Sequence, residues 1–154
     1  MAARKVERSL ILIKPDALQR GLVGEIVSRF EKKGLKVIGL KMIQLTDILL
    51  EKHYAHHKDK PFFKNLKSFM KSSPVIVMAL EGQEIVEAIR IIVGSTRGAE
   101  ADAGTIRGDL AMTNQNLVHA SDSLKTAEAE IKRFFRPDEL FNYTKCDYPM
   151  VFED

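Results

Sequence analysis

The stretch Asn116-Leu117-Val118-His119-Ala120-Ser121-Asp122-Ser123 sets an imidazole between a short apolar run and three residues of the kind that open helices. A ring at the end of a strand, directly before a helix whose first-turn amides point outward, stands where anions are held. In its neutral form it carries a free lone pair, so His119 has the chemistry of a nucleophile. Upstream lie Gly94-Ser95-Thr96-Arg97-Gly98 and Gly104-Thr105-Ile106-Arg107-Gly108-Asp109. Glycines let a backbone approach an oxyanion closely and arginine offers it two parallel donors, so Arg107 reads as a phosphate clamp. Arg90 falls off the apolar stripe Ile85, Ile89, Ile92 of a helical pattern, and Lys14 ends an aliphatic run. Lys14, Arg90 and Arg107 are expected to converge at one mouth. Downstream, Glu128 can pair with Lys132 at i,i+4, whereas Glu130 has no such simple reading.

Each residue alone also has a plain structural reading: a helix cap, a turn arginine, a packed histidine. The set points to phosphate chemistry, yet the common nucleotide loops are missing. The chain has no GxxxxGK(S/T), no GxGxxG after a strand, and no kinase-type HRD or DFG. Tyr54 and the pair Phe62-Phe63 lie in one region, where one ring of each set is expected in the core and an exposed ring can stack on a base. His53, His56 and His57 have a helical spacing that suits zinc, but no cysteine or carboxylate cluster accompanies them and a solvated helix end explains them.

The elements that must position these groups follow from periodicity. Ser9 to Ile13 reads as a buried strand that delivers Lys14 at its end before Pro15. Leu22, Val23, Ile26, Val27 and Phe30 mark an amphipathic helix stopped by Gly34. Leu35 to Leu45 reads as a strand with Leu35, Val37, Gly39, Lys41 and Ile43 on one side. Thr46-Asp47 caps a helix through about His57, and Pro61 starts another to about Lys71. A strand from Pro74 to Leu80 precedes a helix over Ile85 to Val93, closed by Gly94. From Ser95 to Gln115 no periodicity survives, and a loop of that length is usually functional. Asn116 to Ala120 supplies the last strand, and Leu124, Ala127, Ile131, Phe134 and Phe135 stripe the final helix. The order predicts one domain over 1–154, of α+β class: an α/β sandwich of ferredoxin-like βαββαβ topology, with a helical insert and a long loop before the last strand. Such a sheet is expected to carry helices on one face and leave another surface free.

Bulk numbers exclude several classes. The 154 residues are enough for one core, and 24 Lys plus Arg against 21 Asp plus Glu leave only +3, no polycationic face. Nucleic acid is at most a secondary partner. The single cysteine, Cys146, fits a reducing compartment, and no apolar run approaches a membrane span, so the expected setting is cytoplasmic.

Together, Ile13-Lys14-Pro15-Asp16-Ala17, Arg20-Gly21-Leu22-Val23-Gly24, His53-Tyr54, Lys60-Pro61-Phe62-Phe63, the run from Gly104 to Asp109 and the run from Asn116 to Ser123 resemble nucleoside diphosphate kinase, over nearly the whole chain. The resemblance implies ping-pong transfer of the γ-phosphate of ATP or another nucleoside triphosphate to a nucleoside diphosphate, through a phosphohistidine at His119. It implies that Glu130 orients that histidine, that Lys14, Tyr54, Phe62, Arg90, Thr96, Arg107 and Asn116 surround the nucleotide, and that Mg²⁺ arrives with it, with no metal ligand set of the protein's own. It also implies a homo-oligomer, and the tail from Asn142 to Asp154 favours a hexamer over a tetramer. The chain departs from the family pattern at Ala120, where glycine is usual, and at Arg97-Gly98 and Ala103, where proline is usual. The alanine is expected to leave activity intact, and the missing prolines to loosen the loop. An RNA-binding module of the same topology would need an aromatic signature strand that is absent, and a catalytically dead scaffold is at odds with the full set from Lys14 to Glu130.

Overall fold

A computed structural model describes residues 4–152. The three residues before them and Glu153-Asp154 of the predicted tail lie outside the described residues. In chain order the elements are β1 (Val6–Ile13), α1 (Pro15–Gln19), α2 (Val23–Lys32), β2 (Lys36–Ile43), α3 (Asp47–His53), a 3₁₀ turn at Ala55–His57, α4 (Phe63–Met70), β3 (Val75–Gln83), α5 (Ile85–Val93), a 3₁₀ turn at Gly98–Glu100, α6 (Ile106–Leu110), β4 (Val118–Ala120), α7 (Leu124–Phe134), a 3₁₀ turn at Pro137–Glu139 and α8 (Tyr148–Val151). The four strands form one sheet in the order β2-β3-β1-β4, each neighbour antiparallel. This is the ferredoxin-like arrangement, with α3 and α4 as the insert.

Three helix ends are fixed as the sequence expects, whereas α3 stops at His53 instead of about His57 and α4 starts at Phe63 instead of Pro61. Thr46 and Ser123 are the N-caps of α3 and α7, their hydroxyls accepting from the Leu49 and Thr126 amides. Gly94 ends α5 at φ 86°, a conformation that side-chain-bearing residues rarely adopt.

Three expectations are corrected. First, neither face of the sheet is free. Ile11, Ile13, Met78 and Leu80 pack against Ile26 and Phe30 of α2 and Ile85 and Ile89 of α5. On the other face Leu10, Leu12, Val77 and Ala79 pack against Leu50 of α3, Phe63 and Met70 of α4, and Ile131 and Phe134 of α7. Leu10 to Ile13 are apolar on both sides and fully buried, so each side needs its own cover.

Second, the alternation in β2 breaks at a bulge between Val37 and Gly39. Val37 packs on the α2/α5 side, whereas Ile43 packs on the other. A bulge shifts the register by one residue, and with a period of two that moves every later side chain to the opposite face. Leu40 and Met42 are thereby exposed on the sheet's edge strand.

Third, the segment from Ser95 to Gln115 is ordered by specific bonds. It contains α6, whose Ile106 is fully buried, and Arg29 reaches from α2 to the Gly104 carbonyl (3.2 Å) and the Asp109 carboxylate (2.7 Å). The Gly98 amide donates to the Thr113 carbonyl at 3.2 Å, and a Cβ there would lie 2.2 Å from the Ala111 carbonyl oxygen. Glycine at 98 therefore permits a backbone approach that proline would forbid, and the loop is held without the prolines. Replacing Gly98 with alanine should lower stability by roughly 1–3 kcal/mol, the usual cost of overpacking, visible as a lower urea midpoint at unchanged m-value.

Candidate active site

β4 is only three residues long, and the turn before it decides where its histidine points. Leu117 is fully buried at φ 73°, and the Val118 amide donates to the Asn116 carbonyl at 2.8 Å, making a tight three-residue turn of a strained kind. Three groups hold it. The Leu117 amide donates to the Asp16 carboxylate at 3.0 Å, the Lys14 amide donates to the Leu117 carbonyl at 2.8 Å, and β4 pairs with β1 so that His119 lies opposite Leu12. Asp16 is a site residue that the sequence reading passed over, although it stands in the quoted run from Ile13 to Ala17.

Lys14, Tyr54, Phe62, Arg90, Thr96, Arg107, Asn116 and His119 all line one open cleft. Glu130 stands behind it, on α7. His119 and Glu130 share a hydrogen bond of 2.7 Å between Nε2 and a carboxylate oxygen, with the Glu130 side chain 3% exposed and that of His119 25% exposed. Burial by itself would raise the Glu130 pKa, but the hydrogen bond and charge of His119, with a further hydrogen bond from Ser121, outweigh it and hold the carboxyl below its ordinary value. Glu130 is thus an anion whose nearest donor is the His119 ring. With Nε2 so engaged, Nδ1 is the ring nitrogen left for the cleft.

The cations do converge. Lys14 Nζ donates to the Asn116 side-chain oxygen at 2.8 Å, and the Asn116 amide donates to the Thr96 carbonyl at 2.7 Å. Arg107 donates to the backbone carbonyls of Asn116 (3.3 Å), Gly94 (3.1 Å) and Val118 (2.7 Å). It staples the loop to β4 and keeps two of a guanidinium's five N–H groups for a ligand, so the expected clamp is also a structural tie. Burial pulls Arg107 down to about 10, and burial together with the Arg107 charge pulls Lys14 down to about 8. Two cations that have lost solvent and face each other gain by receiving an anion. Arg90 is exposed in the last turn of α5, on the cleft wall.

The aromatic rings divide as expected: Phe63 is in the core, while Phe62 is 48% exposed. Tyr54 is also buried, at the cleft floor, and burial followed by the Glu130 charge raises its hydroxyl pKa, keeping it protonated. The three insert histidines do not gather. His56 and His57 lie ring against ring at 3.9 Å, whereas His53 is buried against His119 at a centroid distance of 4.7 Å. The solvated-end reading therefore fails for His53. Among the described residues, His53, His119 and Glu130 are the one group of metal-ligating types close enough to share an ion, but Arg133 already donates to His53 Nδ1 at 3.1 Å. Ala120 pairs with Ile11 in the sheet and its methyl packs against the core.

Residues 7–140 match the family model described as nucleoside diphosphate kinase. The nucleoside diphosphate kinase of Pyrococcus abyssi is 50% identical over 151 residues, covering 96% of this chain and 95% of that one. The halophilic nucleoside diphosphate kinase of Halobacterium salinarum, solved in complex with CDP, superposes with a TM-score of 0.94 at 42% identity, over 97% of this chain and 100% of that one. The Borrelia burgdorferi nucleoside-diphosphate kinase, solved as a transition state mimic with bound vanadate and ADP, gives a TM-score of 0.86 at 34% identity, covering 92% and 94%.

Because Lys14 titrates near 8, anions should bind more weakly as pH rises through that value and the ammonium is lost. Calorimetric titration with ATP in buffers of different ionisation enthalpy should show proton uptake near pH 8, and Lys14→Gln should abolish it.

Proposed function

The chain belongs to the nucleoside diphosphate kinase family, a family of phosphotransferases, and from that premise we propose that Nδ1 of His119 carries the phosphoryl group between nucleotides. One observation supports this above the others: Glu130 occupies Nε2, so the lone pair at Nδ1 is presented to a cleft whose walls hold Lys14, Arg90 and Arg107.

In the first half-reaction Nδ1 attacks the γ-phosphorus of a nucleoside triphosphate. The N–P bond forms, the bond to the bridging β,γ-oxygen breaks, and the nucleoside diphosphate leaves with that electron pair. Positive charge grows on the ring as the bond forms, and the adjacent Glu130 carboxylate stabilises it while Nε2 keeps its proton. Lys14, Arg90 and Arg107 neutralise the phosphate oxygens, and the second half-reaction runs the same path in reverse with a new diphosphate. Phosphoryl transfer asks little covalent chemistry of a protein beyond alignment and charge, which is what this cleft contains. Phe62, exposed on the cleft wall, stacks any base without reading its edge, in keeping with a broad nucleotide range.

Magnesium fits as a companion of the nucleotide. Asp122, on the cleft lining, would offer the ion one hard oxygen and the nucleotide phosphates would hold the rest of it, and the ion would supply neutralisation of their charge. The CDP complex of the Halobacterium relative and the ADP–vanadate complex of the Borrelia relative support nucleotides as ligands here. The proposal includes self-association, supported by the edge strand β2, which presents Leu40 and Met42. The tail favours the hexamer. Its setting is cytoplasmic, supported by the single free Cys146. No helix among the described residues is long and apolar enough to cross a membrane.

His119→Ala should abolish both the acid-labile label from γ-labelled ATP and its onward transfer to GDP, with the circular dichroism spectrum unchanged. Label in that variant would remove the mechanism. Phe62→Ala should raise KM for every nucleotide by about 5-fold to 100-fold, the worth of one base–ring stack, with little change among bases.

A further inference from the structure

His53 is buried beside the reacting histidine, yet the transfer just described does not use it. It arrives from α3, and three rings pack edge-on around it: His119 at 4.7 Å, Tyr54 at 4.6 Å and Phe134 at 5.1 Å. Its Nδ1 meets two groups from α7, the Arg133 guanidinium at 3.1 Å and the Glu130 carboxylate oxygen at 3.4 Å. That oxygen is the same atom that holds His119 Nε2, so one carboxylate oxygen of Glu130 has two histidines beside it.

A guanidinium has only donors, so the contact with Arg133 makes Nδ1 of His53 an acceptor and places the ring proton on Nε2, which is buried with no hydrogen-bond partner among the described residues, so the contact with Arg133 must outweigh one unpaired N–H. A His53 carrying its proton on Nδ1 would instead donate to Glu130 and draw charge away from the bond to His119. We infer that His53, locked by Arg133 in the tautomer protonated on Nε2, is a positioning residue that reserves the Glu130 carboxylate for His119. The inference rests on the phosphohistidine reading of the cleft. Burial first, and the neighbouring His119 second, also hold His53 far below an ordinary imidazole, at about 3, so the ring stays neutral and the tautomer alone is at issue.

Arg133 is partly exposed and touches neither the cleft nor the reacting ring, so it can be changed without entering the site. In the unaltered protein, nitrogen NMR of selectively labelled histidine should show His53 protonated on Nε2 and bare at Nδ1 at neutral pH. In Arg133→Met the tautomer should shift toward Nδ1–H, and the rate of His119 phosphorylation at saturating ATP should fall about fivefold, the scale of one exchanged hydrogen bond, with KM unchanged. Arg133→Lys, which keeps a donor, should restore both. A His53 protonated on Nδ1 in the unaltered protein, or an Arg133→Met variant with unchanged tautomer and rate, would overturn the inference. Absence of any phosphohistidine in the unaltered protein would sink the phosphotransfer reading instead, and the spectrum would still report the tautomer.

Discussion

The site depends on one hydrogen bond between a half-sheltered imidazole and a buried carboxylate. His119 Nε2 and Glu130 lie 2.7 Å apart, and because the carboxylate is out of water their attraction is little screened. The bond selects which nitrogen faces the cleft, fixes the ring's rotation, and provides an anion where positive charge grows. β4 and α7 are brought against β1 in a way that makes this contact possible. Ser123 starts α7 directly after the strand, and Ile131 and Phe134 anchor the helix on the sheet so that Glu130 faces inward.

Opposite the carboxylate, the cations are held in a state that favours an anion. Lys14 and Arg107 have lost much of their hydration and lie close enough for the arginine to depress the lysine, so the cleft holds positive charge poorly matched by the protein around it. Their positions come from the backbone. Arg107 bridges carbonyls of the loop and β4, and the strained Leu117 turn aims Asn116 at the lysine. Strain of this sort persists only where neighbouring contacts over-determine it, and Asp16 is the side chain that accepts the amide the turn leaves over.

Legibility in the sequence differed by the range of the interaction. Periodicity placed α5 at its observed bounds, and the Thr46 and Ser123 caps were readable because a cap joins residues three apart. The β2 bulge was not readable, because Leu35 to Leu45 alternates acceptably in an unbulged register and only pairing with β3 shows the slip. The Ser95 to Gln115 segment hid α6 for a related reason. Five residues offer too few turns for an apolar stripe, and Arg29, which ties the segment down, lies 75 residues before Gly104.

The sequence by itself determined which functional groups the chain possesses, the order of its strands and helices, and its family, since these rest on residue identity and on patterns spanning a few turns. The tertiary structure decided that both sheet faces are covered, that His53 belongs beside His119 and not at a solvated helix end, and that Nδ1 is the ring nitrogen left open. Those outcomes depend on hydrogen bonds and desolvation between residues far apart in the chain, 80 positions for Arg133 and His53 and 102 for Lys14 and Asn116. Local periodicity does not encode which distant donor a buried acceptor will meet. Packing settles that when the elements dock.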